Sequence, residues 1–172
     1  GEPLAGLYQS EERWDLQARM TRAVERLKAS RIGRLVPEVQ SNLGMALEGA
    51  RTDEEVIAFP GRIIKLGEDI VTVAPPRFGA SRHVAHVILT AMRHDPSQRA
   101  VMNIQFSPTL LTACRKLKFK LGQFDRAGEP RRVKEKEGSS LEWGTDRAIR
   151  KCGFVPDVIY DRGGPGKEEM IR

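Results

Sequence analysis

Aromatic residues are scarce in this chain. Phe, Trp and Tyr together make up 6% of it and do not interleave with a basic stripe. A groove for single-stranded nucleic acid needs aromatic platforms on which bases stack, so no such groove is expected. Trp14 and Trp143 are read as core residues instead. Cysteine is scarcer still: Cys114 and Cys152 are the two present, without the spacing of metal ligands. That excludes a disulfide scaffold and a zinc module. Both fall inside expected helices and are read as buried, reduced thiols. No apolar run approaches the roughly 18 residues that span a bilayer, and no N-terminal segment resembles a signal peptide. The expectation is a cytoplasmic protein without membrane contact.

Catalytic signatures are also missing. No Gly-x-Ser-x-Gly elbow occurs, and neither cysteine adjoins a histidine, so no nucleophile triad can be assembled. Asp161-Arg162-Gly163-Gly164-Pro165-Gly166-Lys167 imitates a phosphate-binding P-loop, but Asp161 stands at the first glycine position and Glu168 at the Ser/Thr position. His83, His86 and His94 fall on one predicted helix and suggest a zinc triad. His86 and His94 are eight residues apart, roughly 12 Å along a helix axis, which one ion cannot span.

What is present is charge. The 172 residues carry a net charge of +6, and Lys, Arg, Glu and Asp make up 30% of the chain. The signs alternate, so small phosphorylated ligands suit this surface as well as nucleic acid does. The length suits one domain with one sizeable core. The chain opens at Gly1 rather than Met, as expected of a piece of a longer protein.

Strand and helix signals alternate, which predicts an α/β fold. Residues 1–9 read as a loose lead-in, and Ser10 as the cap of an amphipathic helix to Ala29 with Leu16, Met20, Ala23, Val24 and Leu27 on one face. Extended segments are expected at 34–39 and 43–47. Thr52-Asp53-Glu54-Glu55 reads as a capping box opening a helix to Phe59. Residues 62–66 and 70–74 read as a hairpin. A helix follows Ser81 and ends near Asp95-Pro96. Residues 100–106 read as a strand, Ser107-Pro108 as the start of a helix to Leu117, and 119–124 as a strand. Residues 127–139 read as a mobile loop with a helical turn. Ser140 opens a last helix that stops at Gly153, and 154–160 is the final strand.

Two places fit an anion. The first is Arg77-Phe78-Gly79-Ala80-Ser81-Arg82-His83: a strand, a small-residue turn and a helix N-terminus, where free N–H groups and the macrodipole favour negative charge. An ordinary capped helix with exposed arginines explains the same residues equally well. His83, at that N-terminus, is the histidine placed to gain a proton as an anion arrives; packing or surface roles suit His86 and His94. The second place is the 161–167 loop at the C-terminal end of a strand, where α/β proteins bind ligands. A solvated glycine turn is its plain alternative.

Several ordered motifs then carry a resemblance. Val36-Pro37-Glu38-Val39-Gln40-Ser41-Asn42, Pro60-Gly61-Arg62-Ile63, the 77–85 stretch, Ala100-Val101-Met102-Asn103-Ile104, Glu137-Gly138-Ser139-Ser140-Leu141-Glu142-Trp143-Gly144 and Tyr160-Asp161-Arg162-Gly163-Gly164 resemble the ThiN-type thiamine-phosphate synthase domain. The resemblance runs from about Leu35 to Arg172. It implies a three-layer α/β/α sandwich with a mixed central sheet, related to the AraD aldolase-like fold. It also implies an N-terminal helical extension over 1–30 and a catalytic domain over 31–172, continuing past Arg172 with a further strand.

The implied reaction joins hydroxymethylpyrimidine diphosphate to a thiazole phosphate and releases diphosphate. The same domain type also serves as the thiamine-phosphate-binding effector of repressors, and an unrelated phosphate- or nucleic-acid-binding module is a third reading. The resemblance makes Arg62 and His83 the catalytic pair. Asn42, Arg77, Gly79, Ala80, Ser81, Arg82, Met102, Asn103, Asp125, Arg126, Arg162, Gly163, Gly164 and Lys167 are the expected substrate contacts. Mg²⁺ is the expected cofactor, with Asp125 and Asp161, both just after strands, as its candidate ligands. The expected partners are the two phosphorylated substrates, a fused pyrimidine-phosphate kinase domain and a second copy in a homodimer, with no nucleic acid bound by this domain alone.

Overall fold

The computed structural model describes residues 2–136 and 138–172, so Glu137 of the 137–144 motif lies outside the described residues. Helix α1 runs over Glu2–Ala29 and does not start at Ser10. Serine is a permitted interior helix residue, and Pro3 sits in the first turn, where its missing N–H costs nothing. Leu16, Met20 and Val24 are buried at four-residue spacing, as the periodicity predicted. Trp14 is 73% exposed, which corrects its reading as core. It lies two residues before Leu16, off the buried stripe.

The 34–39 stretch is not a strand: a 3₁₀ turn covers Ile32–Leu35, and a loop follows. The capping box at Thr52 exists, but it closes only a one-turn 3₁₀ segment, Asp53–Glu55. Val56–Ala58 then forms a fully buried strand, β2. Two β-branched residues with no polar neighbour satisfy a sheet interior better than a helix surface. β2 pairs antiparallel with β1 (Leu43–Ala46), and the sheet order is β5-β2-β1-β6, with β5 at Arg77–Phe78 and β6 at Ala100–Met102. The predicted hairpin is present as β3 (Ile63–Leu66) and β4 (Asp69–Thr72).

A second sheet has the order β7-β10-β9-β8. Its strands are β7 (Ile104–Gln105), β8 (Leu121–Gln123), β9 (Val158–Asp161) and β10 (Met170–Ile171). β8 and β9 are parallel, joined through α4 (Arg131–Glu135) and α5 (Ser139–Cys152), as parallel neighbours require. The strands therefore divide between two four-stranded sheets and a hairpin, in place of the single central sheet expected from sequence. The division falls at Asn103. The 100–105 segment belongs to the first sheet up to Met102 and to the second from Ile104.

Helix α2 (Arg82–His94) spans the two halves, packing on β1 and β6 on one side and on α5 on the other. The expected division near residue 30 coincides with the end of α1. Even so, Leu16, Met20 and Val24 share one core with Ile57, Phe59, Ile63 and Ile88. Helix α3 (Pro108–Lys116) starts on the Ser107 cap and covers the second sheet, where Leu111 packs with Phe106 and Val158. Cys114 and Cys152 are free but only half-buried, each near a helix end, with Cys114 packed at the margin of the second core. Among the described residues no helix is long and apolar enough to cross a membrane.

Gly44 sets how closely α2 approaches β1. A Cβ at that position would collide with the Val84 side chain and come within 3.3 Å of Ile88 Cδ1. Gly44→Ala should therefore destabilise the fold by about 1–3 kcal/mol, the usual cost of overpacking. Denaturant unfolding checks this, and an unchanged midpoint would show that α2 can retreat without loss.

Candidate active site

The two sheets leave a cleft of about 340 Å³ at their junction. Three loops and two helix N-termini build it. From the first loop come Val39, Gln40, Ser41 and Asn42; from the second, Arg62; from the glycine loop, Gly166, Lys167 and Glu168. Ser81, His83 and Val84 bring the start of α2 to the cleft, and Gly138, Ser140 and Leu141 bring the start of α5. Each helix start presents unpaired N–H groups and the positive end of its dipole. At α2 the Ser81 hydroxyl already accepts one of these, from Val84 N–H at 3.4 Å. At α5 no side chain among the described residues caps the end.

Arg62 and His83 both line the cleft. Arg62 follows Gly61 in a tight turn, with its own φ at +69°. A non-glycine residue in this region is strained and needs support from its surroundings. Its N–H donates to Phe59 O at 3.1 Å, and its Nη1 donates to Val39 O at 2.6 Å. Partial burial, then the positive charge of Arg62, hold the His83 imidazole below its ordinary value. Arg172 and Lys167 push in the same direction. Arg62, Lys167 and Arg172 thus converge around His83, and of these four only Arg172 was not expected from sequence. Val84, Val87, Val101, Leu141 and Met170 supply an apolar wall beside them.

The expected contacts separate into two groups. Asn42, Ser81, Asn103, Arg126 and Lys167 line the cleft. Arg77, Gly79, Ala80, Arg82, Met102, Asp125, Arg162, Gly163 and Gly164 are not among its walls. Glu54 fills the place beside Gly79, where a Cβ would lie 2.6 Å from its Oε2. Arg82 turns to Asp53 at 3.7 Å, and Arg162 lies over the Phe106 ring at 4.6 Å. Ala80 packs against the first core, and Met102 pairs with Leu43 across the sheet. Gly163 is at φ +69°, and a Cβ there would strike Lys167 O, so its task is to fold the loop back. His86 Nδ1 and Gly138 O are 2.6 Å apart, and His94 pairs with Asp146, as packing and surface roles predicted.

Asp161 does not border the cleft. It has 0% exposure and accepts from Arg126 Nε at 2.8 Å, Arg172 Nη1 at 2.6 Å and Gly163 N–H at 2.8 Å. Burial draws the Arg172 guanidinium below its ordinary value while Asp161 draws it back, and an arginine so paired stays charged. Both carboxylate oxygens are thus committed. Asp125 accepts from Ala127 N–H and caps the following turn. Asp161 therefore has no free oxygen for Mg²⁺, Asp125 lies outside the cleft walls, and among the described residues no group of three or more His, Cys, Asp or Glu side chains could hold a metal ion.

Sequence reasoning missed Arg172, Glu168, Ser41 and the α5 N-terminus. The motifs that hold the last two were noticed, but nothing in their spacing brings residues 41, 140 and 172 together. Ser41 has 0% exposure, and its hydroxyl has no partner among the described residues.

A cationic cleft with an apolar wall and two helix N-termini defines a protein that handles a phosphorylated organic ligand. The comparisons agree. The family model described as thiamine-phosphate synthase ThiN matches residues 19–172, and the chain belongs to that family. It is 38% identical over 151 residues to a thiamine-phosphate synthase ThiN of Methanothermobacter thermautotrophicus, covering 87% of this chain and 80% of the relative. It is 46% identical over 140 residues to a bifunctional thiamine biosynthesis protein ThiDN of Methanocaldococcus jannaschii, covering 80% of this chain but 32% of that longer protein. Among solved structures, the C-terminal domain of a phosphomethylpyrimidine kinase superposes with a TM-score of 0.88 at 37% identity, covering 93% of this chain and 90% of that one. The same fold therefore occurs as part of a kinase.

Two outcomes follow from the charges. Asp161→Asn should cost about 3–5 kcal/mol of stability, because it leaves two buried arginines without their counter-charge. It should not alter any Mg²⁺ dependence. A variant as stable as the parent in thermal unfolding would overturn this account. For His83, the folded chain takes up a proton at lower pH than the unfolded chain. Its contribution is therefore absent above about pH 6.5 and becomes destabilising as pH falls toward the depressed folded value. An NMR titration of the ring should give a midpoint below about 6.5 in the free protein and a higher one with inorganic diphosphate. A midpoint unmoved by diphosphate would remove His83 from the anion site.

Proposed function

We propose that the cleft makes thiamine phosphate by joining hydroxymethylpyrimidine diphosphate to a thiazole phosphate. In this reading the thiazole nitrogen forms a bond to the pyrimidine methylene carbon. The bond from that carbon to the diphosphate oxygen breaks, and its electron pair leaves on diphosphate. Negative charge grows on the leaving oxygen, so the protein's task is to receive that charge and to hold nitrogen and carbon in line. The observation that carries the reading is the convergence of Arg62, His83, Lys167 and the N-termini of α2 and α5 on one cleft. The arginine gives planar contacts to phosphate oxygens. His83 starts neutral at pH 7 and gains a proton as the diphosphate settles beside it. The apolar wall of Val84, Val87, Val101, Leu141 and Met170 suits the faces of the two rings.

Mg²⁺ has no protein ligand in this reading; its place is on the diphosphate that arrives with it. Arg126 and Arg172, paired from behind with Asp161, border the cleft and add directed N–H groups at a net charge of one for the trio rather than two. The AraD-like relationship and the homodimer belong to the same proposal.

The direct test mixes both precursors with the protein and measures thiamine phosphate and diphosphate. Arg62→Ala and His83→Ala should each lower the rate by about 10²–10³-fold, the usual loss for a donor aimed at developing charge. Both should keep thiamine-phosphate binding nearly intact in titration calorimetry, because the product carries no diphosphate. Equal loss of turnover and product binding would mark them as product contacts and favour a sensor.

A further inference from the structure

Arg62 reaches the cleft from a strained turn, and the peptide that holds its guanidinium is itself held. Arg62 Nη1 donates to Val39 O at 2.6 Å. The N–H of Val39 donates to Glu168 Oε2 at 3.1 Å, and the N–H of Glu38 donates to Glu168 Oε1 at 3.0 Å. One carboxylate thus grips two successive N–H groups of the 37–40 loop with both oxygens. That loop needs the grip, because Gln40 is held at φ +70° by a turn onto Pro37 O at 3.0 Å. Glu168 comes from the far side of the cleft, 130 residues along the chain, and neighbours Lys167 on the glycine loop.

We infer that Glu168 is a positioning residue for Arg62. It fixes the backbone at Val39, the residue whose carbonyl sets the direction of the guanidinium. The inference rests on the proposed role of Arg62 at the diphosphate. Two physical effects add. A carboxylate that accepts the N–H groups of Glu38 and Val39 fixes the backbone before Val39, while the Gln40 N–H, which shares a peptide group with Val39 O, is fixed on Pro37 O, so the carbonyl is aimed from both sides. The same contact ties the glycine loop to the 37–40 loop, so Lys167 and Arg62 keep a fixed separation. A glutamate in a phosphate cleft would otherwise repel the ligand. With both oxygens turned to backbone N–H groups, its charge is partly spent before the ligand enters.

The test is a double-mutant cycle on the whole chain with two readouts. Glu168→Ala should lower kcat for thiamine-phosphate formation by about 10-fold, near 1.4 kcal/mol, with a smaller change in KM for the thiazole phosphate. Glu168→Gln, which keeps one acceptor oxygen, should recover part of the loss. In an Arg62→Ala background, Glu168→Ala should cost nothing further, because a residue acting through Arg62 has nothing left to act on. Separately, the Arg62 side-chain N–H signal should show an ordered guanidinium in the parent and a mobile one in Glu168→Ala. Additive losses in the cycle, or an Arg62 side chain as ordered in Glu168→Ala as in the parent, would overturn the inference. A parent protein that makes no thiamine phosphate would overturn the proposed function instead, and the ordering of Arg62 would still decide the role of Glu168.

Discussion

Asn42 and Asn103 sew the two sheets together, and the cleft exists because they do. The Asn42 N–H donates to Asn103 Oδ1 at 2.7 Å, and Asn103 N–H donates back to Asn42 O at 3.3 Å. The Asn103 amide donates to Gln40 O at 3.1 Å, while Asn42 grips Phe59 through both its N–H and its carbonyl. A peptide strand offers one N–H and one carbonyl per residue, which serves one sheet at a time. Where the 100–105 segment leaves one sheet for the other, the backbone ladder is interrupted, and side-chain amides replace the missing bonds. Buried amides are costly when unpaired, so this seam tolerates little change. Their hydrogen-bonding capacity is turned largely inward, and the two asparagines act as the frame of the site.

The second constraint is electrostatic. Arg62, His83, Lys167, Arg126 and Arg172 meet in a small volume, and an empty cleft of that charge would repel itself. Three devices relieve the strain. Asp161 offsets one of the two charges of the buried arginines from behind. His83 stays neutral until a counter-ion comes. Glu168 stands beside Lys167 with its oxygens directed at backbone. The result is directed donor capacity with modest net charge, which is how a preorganised site holds a multiply charged leaving group without distorting when it is empty.

The parts legible in the sequence were those governed by local rules. The hairpin at 63–72, the Ser107-Pro108 helix start, the stop at Gly153 and the Leu16-Met20-Val24 stripe all obey spacing or capping chemistry within a few residues. Arg62 and His83 were reached through family motifs and do share the cleft. The errors came where tertiary context decides. Val56–Ala58 follows a true capping box yet joins a sheet, because buried β-branched residues found strand partners on both sides. Asp161 looked like a metal ligand because it follows a strand; two arginines distant in sequence claim its oxygens instead. Spacing could not reveal Arg172 or Glu168 either, since each works through a partner more than ten residues away.

The order of the strands also bears on how the molecule comes into being. The first core, around α1, β1, β2 and α2, draws on residues 16 to 92, with Val101 packed at its margin. The cleft also needs the other end of the chain. β10 at Met170–Ile171 is the strand that joins β7 to β9, and Arg172 beside it completes the grip on Asp161. A growing chain that has not yet delivered these residues holds a packed half-molecule, with Asp161 short of one counter-charge and the glycine loop unanchored. Binding competence therefore waits on residues 170–172, whereas the first core packs without them.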